Sequence, residues 1–87
     1  GSKQGYQDHE EQQEKIREAS REVEESDKKV AKMEARLQEL DQLFMTPENA
    51  SNMELVTEYT STKEALDKEN DHWMELSEKL EELQANA

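Results

Sequence analysis

The sequence predicts an all-α fold, specifically a two-helix antiparallel coiled-coil hairpin. Two long segments carry apolar residues at alternating steps of three and four, and a single proline separates them. With 31% hydrophobic and 39% charged residues among 87, the chain cannot fill a globular core. Such a composition is typical of either long amphipathic helices or disorder, and the periodicity indicates helices.

The first helix is predicted over residues 9–45. Asp8 can cap it, because Glu11 follows at the spacing of a capping box. Residues 1–8 are then predicted to be a flexible linker, in which Gly1-Ser2 resembles the remnant of a cleaved tag. The apolar stripe of this helix consists of two rows with a spacing of seven, which are Ile16, Val23, Val30, Leu37 and Phe44, and Ala19, Ser26, Met33 and Leu40.

A turn is predicted over residues 46–50, because Pro47 lacks a backbone N–H and disfavours helical angles at Thr46. Two helix starts compete after it. Thr46 can cap a short turn with Pro47 in its first position. Ser51 has Glu54 three residues later, which is the capping-box spacing, and a long periodic run follows. We therefore expect one helical turn at 47–50 and a second helix over 51–84.

The second helix carries one apolar row with a spacing of seven and a neighbouring row that is interrupted at Thr62 and Glu69. Since the turn is too short for two rods of about 50 Å to run parallel, the helices are expected to pack antiparallel. The structural seam is predicted to contain Val23, Val30, Leu37, Tyr59, Leu66, Trp73, Leu76 and Leu80.

One antiparallel register brings complementary residues together. It places Trp73 against Val23 and makes the two polar seam positions, Ser26 and Glu69, coincide. A shift by one layer also leaves some good pairs. The further pairs predicted by this register are Leu76 with Ala19, Leu83 with Gln12, Arg36 with Glu58 and Glu34 with Lys63.

Trp73 and Glu69 each allow a structural and a functional interpretation. Trp73 either packs in the seam or anchors a partner; packing is favoured, with the indole N–H donating to an acceptor such as Glu69. Glu69 is expected to reach solvent or to accept a hydrogen bond from Ser26, forming a polar layer that fixes register. A lone carboxylate without a second catalytic group does not make an active site.

Charge disfavours a broad nucleic-acid interface, because the formal net charge of −12 repels phosphate. The first helix nevertheless carries four basic residues on its outer side. Glutamates interleave with them, so a mixed solvated face is the favoured interpretation and a nucleic-acid or partner contact the alternative. These candidate contact residues are Arg17, Arg21, Lys28 and Lys32.

The apolar residues at the hairpin tip also have two interpretations. Phe44, Met45 and Met53 either close the end of the seam or offer an exposed contact, and Phe44 and Met45 are the candidate partner contacts there. The sequence contains no cysteine, no glycine-rich phosphate loop and no paired nucleophile and base. No catalytic, cofactor or metal site is predicted in this chain, no run of about 20 apolar residues could span a membrane, and a monomer is expected.

Residues 14–84 resemble the C-terminal coiled-coil domain of the ABC-F ATP-binding cassette proteins. That domain has a heptad helix, a breaker that often reads Asp-Pro-Glu, and a Trp-x-x-Leu-Ser-x-x-Leu-Glu signature. Pro47-Glu48 matches most of the breaker. The segment 5–11 keeps the tyrosine of the family's opening element without its basic residues. The signature is matched by Trp73, Leu76, Ser77, Leu80 and Glu81.

The resemblance implies a non-catalytic accessory arm of a cytoplasmic ATPase. The parent protein would bind ATP and Mg²⁺ in its cassettes and act on ribosomes or, in some members, on nucleic acids. The arm would contact the ribosome or another macromolecule. Two alternatives remain: a structural or dimerising coiled-coil segment of an unrelated protein, and a weak nucleic-acid-binding module.

Overall fold

Two helices form the hairpin in the computed structural model, which describes residues 2–86 and the side chains of residues 9–86. Helix α1 comprises Ser2–Phe44 and helix α2 comprises Met53–Ala85. They pack antiparallel into a rod with extents of 72 × 16 × 14 Å, and the described residues contain no strand. The predicted all-α hairpin is therefore confirmed.

Helix α1 begins earlier than predicted. It starts at Ser2, so Asp8 is not its N-cap, and residues 2–8, predicted as a linker, are helical. Once a helix has nucleated, each further residue adds one hydrogen bond, and the lysine and glutamines of this segment are good helix formers. Helix α1 ends at Phe44, one residue before the prediction, where Met45 and Thr46 donate to carbonyls three residues back.

The turn between the helices consists of consecutive hydrogen-bonded turns. Asn49 donates its N–H to Thr46 O, Ala50 to Pro47 O, and Asn52 to Asn49 O. Helix α2 therefore starts after Asn52. The predicted Ser51 cap is wrong, because the Asn52 side chain accepts hydrogen bonds from the Glu54 and Leu55 N–H groups at 3.0 and 3.4 Å. Asparagine caps helices as well as serine does, and the Asn49–Asn52 turn leaves Asn52 at the boundary.

The predicted register is confirmed at three points along the rod. The predicted proximity of Lys63 to Glu34 stays a prediction; no ion pair joins the two among the described side chains, and the Lys63 Nζ lies 5.9 Å from the centroid of the Tyr59 ring. The pairing of Val23 with Trp73 stays a prediction. The three confirming contacts are Gln12 Nε2 with Leu83 O at 2.8 Å, Ser26 Oγ with Glu69 Oε2 at 2.7 Å, and the Arg36 guanidinium with the Glu58 carboxylate.

The core is one row of α1. Ala19 is 3% exposed, Ser26 2% and Leu40 0%, and no residue of α2 is buried along its described length. Two helices can cover each other on one side only, so most seam side chains keep a solvent-facing edge. The half-buried members of the predicted seam are Val23, Val30, Leu37, Tyr59, Leu66, Trp73, Leu76 and Leu80.

The Trp73 indole does not use the acceptor predicted for it. Its Nε1 is buried and has no hydrogen-bond partner among the described residues, while the Glu69 carboxylate contacts Ser26 and His72. An unpaired buried donor costs about 1–3 kcal/mol, which burial of the large ring must offset. The half-buried ring of Trp73, and not its N–H, is therefore expected to stabilise the seam.

Two substitutions at Trp73 separate what the ring contributes to the free energy of unfolding from what its N–H contributes. We expect Trp73→Ala to lower the free energy of unfolding by about 2–4 kcal/mol, somewhat less than a fully buried tryptophan because Trp73 is half-buried. Trp73→Phe keeps an aromatic ring and removes the unpaired donor, so its loss is expected within about 1 kcal/mol. Urea unfolding followed by circular dichroism measures both. An alanine variant as stable as the wild type would show that the indole is not packed.

Candidate interaction surfaces

A polar layer crosses the seam between the two helices. Ser26 donates its hydroxyl to Glu69 Oε2 at 2.7 Å, and His72 Nδ1 lies 3.1 Å from the same oxygen. The Glu69 side chain is 13% exposed and that of His72 54%. The hydrogen bond from Ser26, followed by that from His72, lowers the pKa of Glu69, with nearby Lys29 assisting and burial opposing. Glu69 therefore stays ionised in the seam.

A shallow groove of about 260 Å³ lies beside this layer. It is open and of mixed charge, and the described residues contain no group of three or more His, Cys, Asp or Glu side chains placed to hold a metal ion. The geometry therefore supports the register-fixing role of the layer. The lining residues are Glu22, Glu25, Ser26, Lys29, Glu69, His72 and Leu76.

The four basic candidates lie exposed on α1 but do not form one patch. Arg17 and Lys32 are 15 residues apart in the sequence, which corresponds to about 22 Å along a helix. Arg17 and Arg21 share a surface depression with Glu11, Glu14 and other residues of α1. Their positive charge is thus screened locally, as expected for a mixed solvated face. Lys28 is exposed on the same helix.

Arg36 was not among the basic candidates, yet it makes a direct contact with α2. The Arg36 guanidinium contacts the Glu58 carboxylate through Nε and Nη2, the latter at 2.9 Å, and Glu39 through Nη1 at 2.8 Å. These hydrogen bonds raise the pKa of Arg36 and lower that of Glu58. Because the groups are about 40% exposed, the pair adds little stability. The sequence signal that could have marked Arg36 as a contact residue is its position next to the seam residue Leu37.

The hairpin tip divides its apolar residues between packing and exposure. Phe44 is half-buried and packs edge-on against Tyr59, with ring centroids 5.9 Å apart and an interplanar angle of 68°. Phe44 thus closes the seam and is not a free contact. Met45 is 80% exposed and Met53 71%. Phe44 therefore closes the seam, Met45 and Met53 are exposed, and a partner contact at the tip stays a prediction.

Two further apolar residues at the tip were missed by the sequence analysis. Leu43 is 36% exposed and Val56 37%. They lie in the last turn of α1 and the first turn of α2, next to seam positions but outside them. The sequence signal that could have revealed them is that both are large apolar residues outside the heptad rows, one on each side of Pro47. Together with the two methionines they make the tip the most apolar exposed region of the rod.

No protein-family model, curated protein or solved structure matches this chain. Neither helix is long and apolar enough to cross a membrane, within the residues that the structure describes.

Glu69 should make the stability of the hairpin depend on pH. Its pKa is lower in the folded chain than in the unfolded one, so its stabilisation is present above the unfolded value, about 4.3, and is lost as the pH falls through the folded value. We expect Glu69→Gln to be less stable than the wild type at neutral pH, and the gap to narrow under acid. Urea unfolding at several pH values measures this.

Exposed Glu75 provides the matched control. Glu75→Gln should follow the wild-type pH profile closely. A gap between wild type and Glu69→Gln that stays constant, or widens, in acid would mean that the Glu69 carboxylate does not stabilise the seam.

Proposed function

We propose that this hairpin is a non-catalytic accessory arm of a larger ABC-F-type ATPase and that it contacts a macromolecular partner. The carrying observation is the shape of the rod: it is 72 Å long, and its most exposed apolar side chains lie at the turn, far from the end where α2 stops. A rod that buries its seam internally and presents apolar residues at one end is suited to contact rather than to chemistry.

The motifs that carry the family resemblance occupy structurally meaningful positions. Pro47-Glu48 lies in the turn between the helices. Of the signature residues, Glu81 is exposed, and the half-buried members are Trp73, Leu76, Ser77 and Leu80. Because four of the five signature residues are partly covered, the signature is consistent with residues that stabilise a hairpin. In this proposal the parent protein is cytoplasmic, and ATP and Mg²⁺ bind to its cassettes.

A ribosome is the first partner to test, since the resemblance implies it. The other two candidate functions have less support. A dimerising segment would need a free seam, whereas α1 already pairs with α2 of the same chain, so we propose a monomer. A nucleic-acid module would need a continuous basic surface, whereas the net charge is −12 and the basic residues of α1 are interleaved with glutamates.

Co-sedimentation with purified ribosomes through a sucrose cushion tests this proposal. We expect the chain to pellet saturably with ribosomes and to stay in the supernatant with protein-free ribosomal RNA, because its acidic surface repels phosphate. A chain that fails to pellet with ribosomes would contradict the ribosome as partner.

A charge variant controls for the nucleic-acid alternative. In it, Arg17, Arg21, Lys28 and Lys32 are all replaced by glutamine. Ribosome binding by this variant should stay close to that of the wild type. Binding to free RNA that the four substitutions abolish would support the nucleic-acid module instead.

A further inference from the structure

The exposed apolar residues are concentrated at the tip. Among the described side chains, five large apolar residues are exposed, and four of them lie between positions 43 and 56: Leu43, Met45, Met53 and Val56. Met74, on α2, is the fifth. Exposed hydrophobic side chains scattered singly need no explanation, but a cluster at one end of a rod indicates a contact surface. We refer to these four residues as the apolar tip.

The backbone that carries the apolar tip is well supported. The Asn49–Asn52 and Thr46–Asn49 turns are hydrogen-bonded, and Asn52 caps α2. Phe44 and Tyr59 pack together beneath the turn. Because the turn is already ordered, binding of a partner would cost the tip little conformational entropy, and this favours affinity. The two methionines adapt their shape readily, as at other contact surfaces that accept helices.

Charge determines what can cover the apolar tip. Residues 37–62 contain no lysine or arginine and five carboxylates. Glu39 and Glu58 are engaged by Arg36. The remaining three, Asp41, Glu48 and Glu54, are exposed, and they lie close in the sequence to the residues of the apolar tip. The tip is therefore an apolar surface with an acidic rim, and the nearby Lys63 ammonium lies over the Tyr59 ring, 5.9 Å from its centroid.

The negative charge of the rim disfavours three other binding partners for the apolar tip. A second copy would bring two acidic rims together, and like charges at an interface are costly. An anionic membrane surface and a nucleic acid would be repelled for the same reason. A basic protein surface with apolar residues at its centre matches both features of the tip.

We propose that the apolar tip binds an amphipathic, lysine- or arginine-rich helix of a partner protein. The apolar face of that helix would cover Met45 and Met53, and its basic residues would face the acidic rim. This proposal rests on the proposed function of an accessory arm and names the surface and the partner chemistry. It concerns a protein contact and excludes the RNA of a ribosome as the target of the tip.

Isothermal titration with an amphipathic helical peptide of leucine and lysine tests the proposal. The wild-type chain should bind this peptide and should bind the matched leucine–glutamate peptide at least about tenfold more weakly. Added salt should weaken the binding of the lysine peptide, because part of the attraction is between exposed charges. Equal binding of the two peptides would overturn the proposal.

Two variants locate the binding surface. Met45→Gln combined with Met53→Gln removes exposed apolar area without touching the seam, so the fold should be retained and peptide affinity should fall about tenfold or more. Met74→Gln is the matched control, since Met74 is 58% exposed on α2 away from the turn, and its affinity should equal that of the wild type. A loss that is equal in both would show that the tip is not the site.

Two other observations would also overturn the proposal. One is a concentration-dependent dimer that Met45→Gln with Met53→Gln abolishes, because the tip would then bind a second copy. The other is binding to vesicles of anionic phospholipid that the same variant abolishes. Sedimentation equilibrium and vesicle flotation measure these outcomes.

The failure of this proposal can be told apart from failure of the arm function. Ribosome pelleting that the tip variant leaves unchanged would refute the tip as the contact and leave the arm function intact. Peptide binding at the tip without ribosome pelleting would refute the ribosome as partner and leave the tip proposal standing.

Discussion

The rest of the structure depends on the contact between Ser26 and Glu69, which fixes how α1 and α2 align. A slip by one heptad would place the Glu69 carboxylate against Ala19 or Met33, neither of which has a side-chain hydrogen-bond donor. A partly buried carboxylate without such a donor is costly, whereas a slip between apolar layers costs little. One polar pair thus selects a register that the apolar residues alone would leave less well defined.

Register in turn determines the position of everything outside the seam. It brings Arg36 to Glu58 and lets Phe44 pack on Tyr59, which closes the rod at the turn. With the seam occupied from within the chain, the residues left to contact a partner are those that the heptad excludes. At the tip these are apolar and surrounded by acids, and along α1 they are basic and interleaved with acids. The apolar tip therefore suits an apolar, basic partner, whereas the mixed charges along α1 favour neither a basic nor an acidic one.

The heptad spacing predicted the fold class and three of the contacts between the helices, because both follow from which residues must be covered. It did not predict the details set by local geometry. Asn52 and Ser51 are both good caps, and the preceding turn decided between them. Glu69 had two possible donors, and side-chain direction rather than spacing selected Ser26 over Trp73. The split between half-buried Phe44 and exposed Met45 depends on where α1 ends, which periodicity does not specify.

Paramagnetic relaxation enhancement can show whether α1 folds back on α2 with Ser26 at Glu69. The chain has no cysteine, so a nitroxide can be attached uniquely at Glu25→Cys, an exposed position on the groove beside Glu69. We expect the strongest broadening in α2 around Glu69 and His72. Mixing spin-labelled chains with isotope-labelled, cysteine-free ones should abolish it. Broadening centred one heptad away would refute this register, and broadening that persists between separate molecules would refute the intramolecular hairpin.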